Sequence, residues 1–256
     1  MIVRSVLVTG AGHGIGQATA ELFARDGWRV GLFDVDVDAV RDVARQLGGG
    51  AVAGQLDVAD ADGWAAALRT FTEPTGGVLD VLVNNAGVLV SGPFADLPVT
   101  AQRRVVEVNL LGVLNGCAAA FPHLRRGSCV VNLASASALY GQPGLATYSA
   151  TKAAVCTLTE ALDLEWEPLG IRVVDVLPLF VRTGMVDELA DARSLRTLGV
   201  RLSPEDVAAA VRLAVEDRSR VRGPHRAVGR QAQVLAATAR LGPQLLRRSL
   251  AARLSR

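Results

Sequence analysis

Tyr148 and Lys152, in the stretch YSATK, put a phenol and an ammonium four residues apart. On a helix that spacing places both on one face. The chain has two tyrosines and a single lysine, every other member of its 27 Lys+Arg being arginine. A free phenol titrates near pH ~10 and is a poor base at neutrality. A fixed cation beside it stabilises phenolate and draws that pKa toward the working range. An ammonium is a compact charge with rotatable donors, whereas guanidinium is a rigid planar fork. A chain that writes arginine elsewhere therefore has a chemical reason to keep lysine here; survival by chance is the competing explanation. Tyr140, the other tyrosine, has no lysine four residues on.

Such a pair needs a scaffold, and the first 180 residues supply a pattern for one. Short Val/Leu-rich runs at 2–8, 29–33, 51–56, 78–83, 129–134 and 171–177 alternate with helical patterns near 14–26, 36–47, 60–72, 100–124 and 146–167. This alternation predicts an α/β fold, a doubly wound parallel sheet of Rossmann type with helices on both faces. Its ligands collect beyond the carboxyl ends of the strands. No repeat or linker divides the body, so 1–216 reads as one domain and 217–256 as a basic C-terminal extension, helical and packed on the domain or peripheral to it. Ser203 and Pro204 have the residue types of an N-cap and N1.

The first strand runs into TGAGHGIG, with Gly10, Gly12, Gly14 and Gly16. A turn of this kind lets backbone N–H groups approach a pyrophosphate at the positive end of a helix; a tight turn needed only for packing is the alternative. Eighteen residues after Gly16 the second strand ends in GLFDVD. An acidic residue there accepts hydrogen bonds from ribose hydroxyls and repels a 2′-phosphate. Asp34 is the candidate for that contact and Asp36 its substitute, while capping of the helix near 37 is the other use for either. No Arg or Lys lies in the loop or directly after Asp34, which favours NAD over NADP.

Half of the 256 residues are hydrophobic, which argues for globular order. The net charge of +2 conceals an asymmetry: from Arg218 onward there are ten arginines and no acidic residue, leaving the body near −8. Cys117, Cys129 and Cys156 have no CxxC spacing, and His13, His123 and His225 no ligand spacing, so reduced thiols, a cytoplasmic location and no metal are expected. MIVRSVLVTG enters a strand-like run without the pattern of a signal peptide, and no apolar segment of about 18 residues is free of polar interruption.

Five patterns in register resemble the short-chain dehydrogenase/reductase family: TGxxxGxG at 9–16, NNAG at 84–87, Asn109 in VEVNLLG, Ser135 in VVNLASASA, and YxxxK at Tyr148 and Lys152. Ser135 lies thirteen residues before Tyr148, the family's usual separation, and the resemblance covers roughly 2–216. It implies that Tyr148 is the acid/base, that Lys152 tunes it and holds the cofactor ribose, and that Ser135 positions the substrate oxygen. It implies also that Asn109 orders water for a proton relay. Ser137 is close enough to compete with Ser135, and a buried Asn can instead satisfy backbone groups. For the cofactor the resemblance implies Gly10, Gly12, Gly14, Ile15 and Gly16, with His13 as a loop side chain near the phosphates. It adds Asp57 and Val58 at the adenine, Asn84, Ala86 and Gly87 after the fourth strand, and Pro178 and Thr183 at the nicotinamide.

The chain departs from the family in having Pro178-Leu179 where Pro-Gly is common; Leu179 cannot take positive φ cheaply, so a different loop path is expected. The tail departs further, with Leu246, Leu250 and Leu254 on one helical stripe among arginines. Packing on the acidic body or over the cleft, contact with an anionic membrane surface, and disorder are its three readings. Nucleic acid is not an expected partner, since no aromatic in the tail could stack on bases. The function expected is NAD(H)-dependent interconversion of a secondary alcohol and a ketone, the small-molecule substrate being hydrophobic, with a homodimer or homotetramer built through the helices near 100–124 and 146–167. An epimerase or dehydratase with bound NAD, and a cofactor-sensing module without turnover, are the alternatives.

Overall fold

The computed structural model describes residues 3–184, 199–217, 219 and 223–241. Seven parallel strands form one sheet in the order β3-β2-β1-β4-β5-β6-β7. They are β1 (Ser5–Thr9), β2 (Arg29–Asp34), β3 (Val52–Gln55), β4 (Val81–Asn84), β5 (Cys129–Leu133), β6 (Arg172–Leu177) and β7 (His225–Ala227). The helices are α1 (Gly14–Arg25), α2 (Val37–Leu47), α3 (Ala61–Thr72), α4 (Val99–Val106), α5 (Gly112–Ala120), α6 (Ala146–Trp166), α7 (Pro204–Glu216) and α8 (Gly229–Leu241).

Alternation along each strand explains the two layers. In β1, buried throughout as SVLVT, Val6 and Val8 meet the layer containing Phe23 of α1, Val40 of α2 and Val207 of α7. Leu7 faces the opposite layer, with Trp64 and Phe71 of α3, Cys117 of α5 and Val155 of α6. A parallel strand covered on both faces thus reads as a continuous apolar run while its residues serve two cores. Side-chain caps start several helices: Asp36 accepts from Ala39 N, Asp60 from Asp62 N, and Ser203 and Asp206 form a capping box with Pro204 in the first turn.

Strand order reverses between β1 and β4, which opens a crevice beyond their carboxyl ends. A buried polar ladder fixes the strands beside it. Asn84 Nδ2 donates to Asn132 Oδ1 at 2.9 Å and Asn132 Nδ2 to Thr159 Oγ1 at 2.9 Å, joining β4, β5 and α6.

β7 lies within the stretch read as a C-terminal extension, yet it pairs with β6 through Asp175, Val176 and Leu177. α8 follows it and packs against the turn Ala136–Leu139. Three half-buried residues, His-Arg-Ala, carry no apolar run by which a strand could be read from sequence. The leucine stripe at Leu246, Leu250 and Leu254 lies outside the described residues, as do residues 185–198.

The helical run Val99–His123 is long and apolar enough to cross a membrane by length and composition, with 44% of its most apolar window buried. Its polar residues bond to neighbouring elements: the half-buried Asn115 donates to Val58 O at 3.1 Å, and the exposed Arg104 to Asp57 at 2.9 Å. The run packs on α3 and α6 as a layer of the sandwich.

Candidate active site

The glycine loop closes tightly onto β4. Thr9 Oγ1 accepts from Asn85 N at 3.1 Å and Ala86 N at 3.2 Å, and Asn85 Nδ2 donates to Thr9 O and Gly10 O at 2.9 and 3.0 Å. Gly10 and Gly14 take φ of +63° and +56°, where a side chain is strained. A Cβ on Gly16 would stand 2.0 Å from Gly10 O, so the first turn of α1 can lie on the loop only without one. His13 precedes α1 without capping it by its side chain, and the first turn holds no acidic residue. The unsatisfied N–H groups and positive end of α1 therefore meet the crevice, which Gly10, His13, Gly14 and Ile15 line. Gly12 and Gly16 stand behind that surface.

Asp34 and Asp36 have separate tasks. Asp36 caps α2. Asp34 lines the crevice at the end of β2, its Oδ2 accepting from Gly12 N at 3.0 Å and its Oδ1 from Asp36 N at 3.1 Å. Asp57 and Val58 line the same end. Burial raises the Asp57 pKa, but the N–H of Ala59 and the Arg104 guanidinium together outweigh it and hold the carboxyl below its ordinary value. Arg104 lines this end too, and the sequence reading missed it: 47 positions separate it from Asp57, and only the packing of α4 on the β3–α3 loop joins them.

The structure corrects the placement of Asn84. It faces the core, bonded to Asn132 and to Cys117 Sγ, and Asn85 with Ala86 and Gly87 lines the crevice instead. Strand alternation is the reason, since the last residue of β4 points into the layer of α5. Asn109 is completely buried in a π-helical turn, Glu107–Leu111, between α4 and α5. Both ends of its amide are engaged by Val88, whose N–H donates to Oδ1 and whose O accepts from Nδ2, each at 2.8 Å. The side chain therefore clamps the loop after β4.

Ser135, Tyr148 and Lys152 converge on the crevice. Ser135 follows β5 and caps the turn Ala136–Leu139, accepting from Ser137 N at 3.2 Å. Its hydroxyl acts on the nearby Tyr148 phenol in the sense that favours phenolate. Ser137 lines the same space, and its Oγ has no hydrogen-bond partner among the described residues. Lys152 Nζ lies 5.7 Å from the centre of the Tyr148 ring and donates to Leu133 O at 2.7 Å. Burial acts on both titrating groups: it pushes the Tyr148 pKa up, against the effect of Ser135, and draws Lys152 down to about 8. The lowered phenol expected from the sequence is thus not what this geometry gives, because desolvation of phenolate outweighs the effect of Ser135.

Pro178 and Thr183 complete the wall, and Thr183 Cγ2 would lie 3.1 Å from a Cβ on Gly14. No non-glycine residue among those described takes positive φ, so the loop at Leu179 runs through ordinary backbone conformations. Leu179 joins Leu89, Leu145, Tyr148, Phe180 and Val200 in an apolar cluster over the Tyr148 end. The crevice encloses about 440 Å³.

The family model for short chain dehydrogenases matches residues 4–194. The meso-2,3-butanediol dehydrogenase of Serratia marcescens is 38% identical over 228 residues, 86% of this chain and 90% of that protein. A cyclopentanol dehydrogenase of Comamonas testosteroni is 36% identical over 227 residues, 84% of this chain and 90% of its own. The crystal structure of a short chain dehydrogenase/reductase from Burkholderia phymatum in complex with NAD superposes with a TM-score of 0.83 at 27% identity, covering 93% of this chain and 92% of that one. With the sheet order, the glycine loop and the Ser135–Tyr148–Lys152 cluster already in place, these matches make the chain a member of the short-chain dehydrogenase/reductase family.

Proposed function

We propose that the protein is an NAD(H)-dependent oxidoreductase that interconverts a secondary alcohol and a ketone. The observation that carries this reading is one crevice with two chemically distinct ends. At one lie an uncapped helix start and Asp34, at the other the Tyr148 phenol with the Ser135 hydroxyl and the Lys152 ammonium on the same wall. Relatives named as butanediol and cyclopentanol dehydrogenases, and a structural neighbour complexed with NAD, support it.

The residues present fit a dinucleotide. Gly14 leaves the start of α1 open, and Gly87 keeps side-chain atoms out of the space beside Lys152, whose Nζ would be 3.6 Å from a Cβ there. The helix start would hold the pyrophosphate, Asp34 a ribose, Asp57 and Val58 the adenine, and Thr183 the nicotinamide end; the bound nicotinamide supplies the site that accepts or gives hydride. Ser135 holds the substrate oxygen, and Tyr148 delivers a proton to it in reduction or removes one in oxidation. Lys152 keeps positive charge near that oxygen, and Asn109 holds Val88 and so the loop shaping the cofactor side. The cluster of Leu89, Leu145, Leu179, Phe180 and Val200 suits an apolar alcohol or ketone.

Fluorescence titration with NADH and NADPH tests the cofactor assignment. NADH binds the wild type more tightly, and Asp34→Ala narrows the difference by about tenfold or more, since it removes both an acceptor for ribose hydroxyls and a charge opposed to a 2′-phosphate. Wild-type preference for NADPH would overturn the assignment. Turnover with NAD and a panel of acyclic and cyclic secondary alcohols then tests the reaction.

The same reading includes a homo-oligomer. Leu111, Leu114 and Phe121 on the α4–α5 run and Leu164 on α6 are exposed large apolar residues on the helices expected to pair. Leu114→Arg is expected to shift the species seen by light scattering toward monomer; an unchanged mass would exclude this face. Free thiols at Cys117, Cys129 and Cys156 accord with a reducing cytoplasm.

A further inference from the structure

A second group of chemically capable side chains lies away from the crevice. Cys156 of α6, Asp175 of β6 and His225 of β7 each offer one ligand atom, and all three atoms lie within 4.8 Å of one another. No spacing in the sequence announces them, because three elements bring them together. His225 Nδ1 is 2.7 Å from Asp175 Oδ2. Asp175 is fully buried, and its Oδ1 has no hydrogen-bond partner among the described residues. A carboxylate is costly in the interior unless its oxygens are engaged. Beside the trio opens a cavity of about 880 Å³, lined by Cys156 and His225 together with Leu139, Leu177, Ala214 and Gln233.

Two chemistries use this set of donors. A nucleophilic thiol would need an imidazole nitrogen aligned on it as base, but here the Asp175 carboxylate beside the thiol opposes thiolate formation. A cation reverses that conflict, since it favours thiolate and carboxylate together and takes imidazole in its neutral form. Zinc-class ions accept S, N and O donors at about 2.0–2.3 Å, which separates tetrahedral ligand atoms by about 3–4 Å; the three atoms lie within 4.8 Å of one another, and the 2.7 Å His225–Asp175 hydrogen bond would open as the ion entered. Calcium and magnesium prefer all-oxygen shells.

We propose that Cys156, Asp175 and His225 form a three-ligand site for a zinc-class divalent cation, whose fourth position opens into the adjoining cavity. Binding releases the thiol proton to solvent, with no change of oxidation state. The ion ties α6, one turn beyond Lys152, to β6 and to the edge strand β7.

The test uses the full chain, stripped with chelator and titrated with Co²⁺ and with Zn²⁺. About one equivalent of Co²⁺ binds with a thiolate-to-cobalt charge-transfer band, and Zn²⁺ displaces it and raises the unfolding temperature. Cys156→Ser abolishes the band, and Cys156→Ser and His225→Gln each weaken binding by about a hundredfold or more. Should either variant fail to fold, alkylation mapped by mass spectrometry decides on the wild type: Zn²⁺ protects Cys156 selectively. Absence of stoichiometric uptake, a band that survives Cys156→Ser in the folded variant, or equal labelling of Cys156 with and without Zn²⁺ overturns the proposal and leaves the trio as a hydrogen-bonded brace.

Discussion

Tyr148→Phe is expected to lower kcat by about 10³-fold, within the range for loss of a positioned acid/base group, while NADH binding stays near the wild-type value. The change removes one hydroxyl and leaves the ring packed with Leu145 and Phe180. The crevice therefore keeps its shape while the proton at the substrate oxygen loses its donor and acceptor. Ser135 can still hold the oxygen but lies outside the tyrosine–lysine pair that moves charge. Steady-state turnover and cofactor titration on the same preparation separate the two effects. Full activity in the phenylalanine variant would remove Tyr148 from the chemistry altogether.

Lys152→Arg is expected to cost about 10²-fold or more in kcat/KM, and Lys152→Met at least as much. Lys152 is only 4% exposed, and its Nζ is seated 2.7 Å from Leu133 O. A guanidinium needs more width and a different donor fan than that seat provides. The pH dependence supplies a readout that misfolding would not mimic. Burial brings Lys152 down from 10.5 to about 8, so the ammonium is present below pH 8 and lost above it. Ketone reduction, with Tyr148 protonated throughout this range, holds a level kcat/KM below pH 8 and declines above; the methionine variant lacks that decline. Stability moves the other way. The unfolded chain binds the lysine proton more tightly than the folded one between pH 8 and 10.5, so this residue's contribution to stability rises with pH across that window. A wild-type reduction profile flat through pH 9 would contradict the assignment of charge to Lys152.

Local signals carried much of the fold and the site. Apolar runs marked β1 to β6, all but the edge strand β3 being mostly buried, and the glycine loop, Asp34, Ser135, Tyr148 and Lys152 meet at one crevice, as their spacing and the family resemblance implied. What escaped was set by packing. Which of two adjacent asparagines faces the cofactor side is decided by the pleat at the end of β4, so Asn84 went to the core and Asn85 to the crevice. Arg104 meets Asp57 only through the docking of α4. β7 is too short and too polar to show as a strand and is recruited by its ladder with β6. The direction of the Tyr148 shift was missed because burial has no sequence signature, whereas a neighbouring lysine does.

The π turn at Glu107–Leu111 also bears on how the chain can change length. It amounts to one surplus residue retained in a helix, and it lets two halves keep different rotational settings. Upstream, α4 directs Arg104 to Asp57; downstream, α5 presents Gly116, where a Cβ would fall 2.8 Å from the Trp64 ring, to the core. Deleting one residue there would restore a regular helix and turn one half by about 100° against the other. Asn109 would leave Val88, or Gly116 would leave Trp64. Substitutions are tolerable at positions of this segment away from Asn109 and Gly116, but its length is fixed, because one register must seat both of them at once.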